Sequence, residues 1–225
     1  MAPGYLLILL AQINRMKKFI VLSLLCSLMV SAVSQNVAFE RDNFPGRKEE
    51  FREAVRKMEV GMQFYILGRK EFDDTRRLYL LENRYYPVSH YDYQKAGLKK
   101  FREALSPLSD AHRFNPNNAD LNYMLGFIWF VTDPATKEAL MYFEAADRCN
   151  PEVQPDLAYW LGWTYHLNSK WDEATKYYKK YLAFIQLKNK SNFAALEDVN
   201  KKIAECGVGK RLSASPERVF VDNLG

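Results

Sequence analysis

The sequence predicts an all-α protein: a solenoid of stacked helix-turn-helix units with a C-terminal capping helix and a short extended tail. Three observations point there. One helix-pair pattern occurs twice in succession, with Gly126 and Gly162 36 positions apart (162 − 126) and Pro116 and Pro151 35 apart (151 − 116). Outside the two copies, apolar residues recur at the three-and-four spacing of a helix face. The composition, 48% apolar and 14% aromatic, is rich enough to fill a core.

The first copy runs from Asn115-Pro116 through Asp120, Leu125-Gly126, Trp129, Ala139, Phe143 and Ala146 to Asn150-Pro151. The second runs through Asp156-Leu157, Leu161-Gly162, Tyr165, Ala174, Tyr178 and Tyr181. A glycine inside an apolar helix costs about 1 kcal/mol relative to alanine. A tight helix crossing is the compensation, with Ala139 or Ala174 expected opposite the glycine and the aromatics filling the space around it. The residue before proline is pushed out of the α region, so Asn115-Pro116 and Asn150-Pro151 end helices. The first copy is one residue longer, and the extra residue is placed in the turn at Thr132-Asp133-Pro134. The pattern resembles the tetratricopeptide repeat, a unit of about 34 residues with a Leu-Gly pair, a small alanine between aromatics and a closing proline. Such units bury their apolar faces only by stacking, which creates a concave surface. Leu125, Gly126, Ala139, Leu161, Gly162 and Ala174 are the residues expected at the repeat-packing contacts.

The remaining segments follow in chain order. Residues 1–15 have an apolar patch with no basic start before it and read as an over-extended gene start. Residues 16–34 read as a secretory signal peptide: Lys17-Lys18, an apolar run, then Ala32-Val33-Ser34 before Gln35. The run is shorter than the roughly 20 residues a membrane span needs. The bulky Leu24-Leu25 ahead of Cys26 argues against lipid attachment. Residues 35–46 are a polar linker, and 47–206 form the solenoid. Within it, 47–67 is helical (Phe51, Ala54, Val55, Met58, Met62 and Tyr65 on one face), with Gly61 a degenerate repeat glycine. Residues 71–82 form a second helix, 83–93 a tyrosine-rich loop, and 93–114 a helix broken or kinked at Pro107. Residues 192–206 supply the capping helix that covers the apolar end of a stack. Gly207 and Gly209 end it, and 207–225 is an extended tail, with Arg218-Val219-Phe220-Val221 alternating like a short strand.

Charge narrows the function classes. Of 32 basic residues, Arg15, Lys17 and Lys18 leave with the signal peptide, so 29 face 27 acidic residues. That near balance makes no electrostatic case for nucleic acid or for an anionic membrane surface. His90, His112 and His166 are scattered, with neither an HExxH pair nor a glycine-rich phosphate loop. No GxSxG elbow is present, and Asp73-Asp74 and Asp172-Glu173 read as solvated helix acids. No enzyme, metal or cofactor is expected. Cys149 and Cys206 would lie in a compartment that permits a disulfide. Two unpaired small buried side chains are the other reading.

The runs Ala119-Asp120-Leu121-Asn122-Tyr123 and Asp156-Leu157-Ala158-Tyr159, each followed by Leu-Gly, are joined by Ile203/Cys206 and Pro216/Arg218/Val219/Val221. Together they resemble envelope proteins of Bacteroidetes-type bacteria. Those carry an N-terminal tetratricopeptide region, a TolB-like propeller and a C-terminal OmpA-like domain. The chain ends where the propeller would begin, so it reads either as a module in its own right or as the N-terminal piece of a larger anchor protein. The resemblance implies a periplasmic or outer-membrane-associated, non-catalytic scaffold. Its partner would be an envelope protein or peptide, with a link to outer-membrane or peptidoglycan assembly or to type IX secretion.

In tetratricopeptide folds the first helix of each repeat lines the groove. By that correspondence Asp120, Tyr123, Phe127 and Phe130 come from one repeat, and Asp156, Tyr159, Trp163 and His166 from the next. Two carboxylates beside a strip of aromatics suit a peptide or partner helix, because rigid aromatic area dominates interface energetics. The other reading packs these rings internally, against 93–114 or the capping helix.

Overall fold

The helix break expected after Leu67 does not form. Gly68-Arg69-Lys70 holds no proline and no capping side chain, and both flanks have buried residues on one face. The chain therefore continues as a single helix, α1 (Lys48–Glu82), 35 residues long and about 52 Å at 1.5 Å per residue. The computed structural model describes residues 35–82, 95–133, 137–188 and 193–215. After α1 come α2 (Leu98–Phe114), α3 (Ala119–Thr132), α4 (Lys137–Cys149), α5 (Leu157–Leu167), α6 (Trp171–Lys188) and α7 (Phe193–Ala214), with a 3₁₀ turn at Arg41–Asn43 ahead of them. No strand occurs among the described residues. Helices α1/α2, α3/α4 and α5/α6 form successive hairpins, α2 packs on α3, α4 on α5, and α7 covers α6. Helix α7 also meets α1, so the first and last of the described helices touch.

In each hairpin a glycine of the first helix lies against an aromatic ring of the second. A Cβ on Gly126 would stand 2.8 Å from the Phe143 ring, one on Gly162 2.9 Å from Tyr178, and one on Gly68 3.0 Å from Phe101. The ring, rather than the alanine expected there, fills the space at the first two sites. Four positions before each ring sits a small residue, Ala139, Ala174 or Gly97. Leu125, Ala139, Leu161 and Ala174 are all fully buried. The first repeat is thus marked by Leu67-Gly68. Gly61 is a second close approach on α1, against Leu108. Gly126→Ala should lower the unfolding free energy by up to about 2 kcal/mol. The buried ring resists displacement by about 1–3 kcal/mol, and helix propensity returns about 1. A shifted urea midpoint measures this.

Three further expectations are corrected. Pro107 lies within α2 without ending it, because Phe101, Ala104, Leu108 and Ala111 stay buried on one continuous face. Helix α7 passes through Gly207 and Gly209 to Ala214. Gly209 sits under the Trp171 ring and Lys210 Nζ donates to Asp172 Oδ1 at 2.6 Å, so the last turns of α7 are held on α6. The segment expected to be a linker is docked from Asn36 onward. Val37 N donates to Asn117 O at 2.9 Å, and the Asn115 and Asn118 amides donate to Val37 O at 2.8 and 3.0 Å. Phe39 then joins Phe44, Phe51 and Phe114 in an aromatic cluster. Cys149 and Cys206 are not joined in a disulfide, and Cys206 is buried. The proposed start and signal segments (1–34), the loop at 83–93, Pro134 of the long turn and the strand at 218–221 lie outside the described residues.

Candidate functional site

Counting from the three repeat glycines, Gly68, Gly126 and Gly162, aligns one strip of side chains along the first helices. Six positions before the glycine stand Met62, Asp120 and Asp156; three before, Tyr65, Tyr123 and Tyr159. One position after stand Arg69, Phe127 and Trp163; four after, Phe72, Phe130 and His166. All eight residues predicted for partner contact belong to this strip. Helix α1 adds four that the sequence reading did not assign to it, and the Leu67-Gly68 pair was the available signal.

The rungs after the glycines are filled by the protein itself. Phe72, 1% exposed, meets Phe127 edge-on at 5.1 Å and Trp160 at 5.7 Å. Phe127 also packs on Phe101 of α2 at 5.6 Å. Phe127, Phe130, Tyr123 and Tyr159 are buried. Trp163 is half-buried under Lys202 of α7, whose Nζ lies 3.6 Å from the ring centroid. His166, also half-buried, lies between Trp171 and Tyr178. Burial lowers its pKa, and the nearby Lys202 charge lowers it further. The expected open aromatic strip is therefore closed over these rungs. The reason is the length of α1: it runs 14 residues past its glycine (82 − 68), against 6 for α3 (132 − 126) and 5 for α5 (167 − 162). The overshoot reaches α5 and α7.

Two arginines of that overshoot grip carboxylates of later elements. Arg69 forms an ion pair with Asp156 and donates to Tyr123 Oη at 2.6 Å and to Asp73 at 2.8 Å. Its guanidinium lies 4.2 Å over the Phe127 ring. Tyr123 donates to Asp156 at 2.6 Å and Trp160 Nε1 donates to the same carboxylate at 2.7 Å. Asp156 stands at the N-cap of α5, yet its side chain makes no capping bond and serves this network instead. Burial pushes its carboxyl up, but Arg69 together with the bonds from Tyr123 and Trp160 holds it below the ordinary Asp value. Burial pushes the Tyr65 hydroxyl up to about 12 against the opposing Arg69 charge, and raises Tyr123 well above its usual value. Seven residues on, Arg76 pairs with Asp198 of α7 at 3.6 Å and lies 4.8 Å over Tyr159, whose hydroxyl donates to Asp198 at 2.6 Å.

The depressed Asp156 sets an acid dependence. Its contribution to stability is present above the unfolded-state value of 3.8 and is lost as pH falls through the lower folded value. Asp156→Asn should therefore flatten the most acidic limb of the stability–pH curve, read by thermal unfolding from pH 5 downwards.

The earlier rung, beside Met62 and Asp120, remains open. A groove of about 710 Å³ is lined there by Met58, Met62, Tyr65, Ile66 and Arg69 of α1, by Asp120, Tyr123 and Met124 of α3, and by Gln154 to Asp156. The docked N-terminal segment closes one side through Asn36, Ala38 and Phe39. Its volume lies in the range of ligand-holding clefts. Of the predicted contact residues, Asp120, Tyr123 and Asp156 line it. No cluster of three or more His, Cys, Asp or Glu suited to a metal ion occurs among the described residues. No described helix is long and apolar enough to cross a membrane.

These features define the class: a tetratricopeptide-type α-solenoid, with three hairpins and a capping helix among the described residues and an inner face closed at one end and open at the other. No protein-family model matches the chain, and no curated protein matches it. Among solved structures it is similar to the crystal structure of MamA protein, at 19% sequence identity and a TM-score of 0.36, over 76% of this chain and 99% of that one. So remote a likeness bears on nothing beyond itself.

Proposed function

We propose that this protein is a non-catalytic interaction module of the bacterial cell envelope that holds a peptide or protein partner in the groove between α1 and the start of α3. The observation that carries this reading is the groove itself. It combines a methionine-rich floor, which adapts to a partner's side chains, with a carboxylate rim and a rigid helical frame. Ile66 is 56% exposed and Met62 37% exposed on its lining, an apolar surface left uncovered beside a filled core. Support for an address outside the cytoplasm comes from the signal-like sequence at 16–34, and for one near the outer membrane or a secretion assembly from the resemblance to envelope proteins.

The reading is tested by installing a photo-crosslinking amino acid at Ile66 in the native host, with Leu187 of α6, 84% exposed, as the control position. A discrete adduct in the envelope fraction from position 66, absent from position 187, is the expected result. Equal labelling from both positions, or an adduct found only in the cytoplasmic fraction, overturns it. Tyr123 is unsuitable for this purpose: it is 3% exposed, and its loss would disturb the fold.

A further inference from the structure

Helix α1 presents one side chain every seven residues to a carboxylate of the inner face, and the series is incomplete. Arg76 meets Asp198 at 3.6 Å. Seven residues earlier, Arg69 pairs with Asp156. Seven earlier again stands Met62, which lines the groove together with Asp120. Asp120 occupies the same place relative to Gly126 that Asp156 occupies relative to Gly162. Among the described residues it forms no ion pair; its carboxylate is bonded to Gln154, and burial raises its pKa despite that bond. The groove lining carries three carboxylates, Asp73, Asp120 and Asp156, against the single guanidinium of Arg69. That guanidinium is already committed to Asp73 and Asp156.

We propose that the open rung accepts a partner segment that sets an arginine or lysine against Asp120, with large apolar side chains beside it on the floor formed by Met58, Met62, Ile66 and Met124. The proposal deepens the interaction reading above and rests on it. Within the same face, α1 shows what such a rung accepts: Arg69 on Asp156, and Phe72 three residues on, wedged between Phe127 and Trp160. A partner that supplies a cation and a neighbouring apolar anchor repeats that arrangement one repeat earlier. An acidic segment would meet the surplus of carboxylates and be repelled, because like charges brought together in a partly desolvated site oppose binding.

The test is a selection of a random dodecapeptide display library on the purified protein, followed by affinity measurement of the enriched peptides by fluorescence anisotropy. Enriched peptides are expected to carry an arginine or lysine within four positions of a large apolar residue. Changing that basic residue to glutamine, or Asp120→Asn in the protein, should each weaken binding about tenfold, about 1.4 kcal/mol, and the two changes together should weaken it little further. Met62→Arg places the missing cation in the protein's own helix. It should abolish binding while leaving the melting temperature unchanged or higher, and Met62→Gln should retain binding. Enriched peptides without a basic residue, affinity indifferent to Asp120→Asn, or no enrichment at all overturns the proposal. If Ile66 crosslinks in the envelope while the selected peptides lack cations, only the charge assignment falls. If Ile66 gives no envelope adduct, the interaction reading falls whatever the peptides contain.

Discussion

Phe72→Ala is expected to lower the unfolding free energy by about 3–5 kcal/mol, the range for removing a fully buried aromatic ring. Phe72 is 1% exposed and stands where α1, α3 and α5 converge, with Phe127 and Trp160 edge-on against it. Phe72 and these two neighbours belong to three different hairpins, so neither ring can collapse into the void without moving its own hairpin. The loss should appear as a lower urea midpoint with the helical far-UV signal retained in the absence of denaturant. Leu78→Ala serves as the control: on the same helix but 37% exposed, it should shift the midpoint by less than about 1 kcal/mol, as for surface changes generally. Equal effects at the two positions would mean that the α1 overshoot does not hold the inner face together.

The second large effect is expected at Arg69. Arg69→Met keeps most of the side chain's length and removes its charge, leaving Asp156 and Asp73 without their shared cation. Breaking a buried pair from one side costs about 3–5 kcal/mol, because the remaining charge is stranded away from water; with its side chains still 19% and 23% exposed, this pair should cost less, about 2–3 kcal/mol. Burial of Arg69 opposes its charge, yet the surrounding Tyr123 and Asp156 raise its pKa overall, so it is a fully ionised partner. Adding Asp156→Asn to Arg69→Met should recover part of the loss, because the stranded charge is gone. A double-mutant cycle from urea unfolding should give a coupling of about 1–3 kcal/mol between the two sites. Additive losses would show that the pair acts through side-chain packing alone. The exposed ion pairs of α1, such as Lys70 with Asp74, should contribute little by comparison.

Both predictions concern residues that the sequence reading did not assign to the inner face, and the reason is physical. The register of the second and third repeats is legible because their helices are short and bounded by Asn115-Pro116 and Asn150-Pro151. Their apolar residues serve one hairpin each, so local spacing carries the information. Counted from the repeat glycines, Asp120, Tyr123, Phe127, Phe130, Asp156, Tyr159, Trp163 and His166 share one register along the first helices. Whether that strip stands open or filled is a different kind of fact. It depends on how far α1 runs past Gly68, and no stop signal near Leu67 or Glu71 marks that length. Pairs such as Arg69 with Asp156 and Arg76 with Asp198 lie 87 and 122 positions apart (156 − 69, 198 − 76), beyond any periodicity.

The groove shows the same division. Asp120 was recognisable as a groove carboxylate from its place before Leu125-Gly126, and Met62 as an apolar helix position. Neither position announces that they share a cavity. Nor does the chain announce that residues 36–39 dock on Asn115 and Asn118 and form a wall of it.

From the order of its residues alone, this chain specifies helices, their pairing into repeats, and which side chains face inward. Those choices are made by interactions within a few turns or across one tight crossing. The closure of one half of the inner face, and the opening of the other, arises only when the first helix is laid across the third and fifth. Contacts between distant segments decide there which buried charges find a partner.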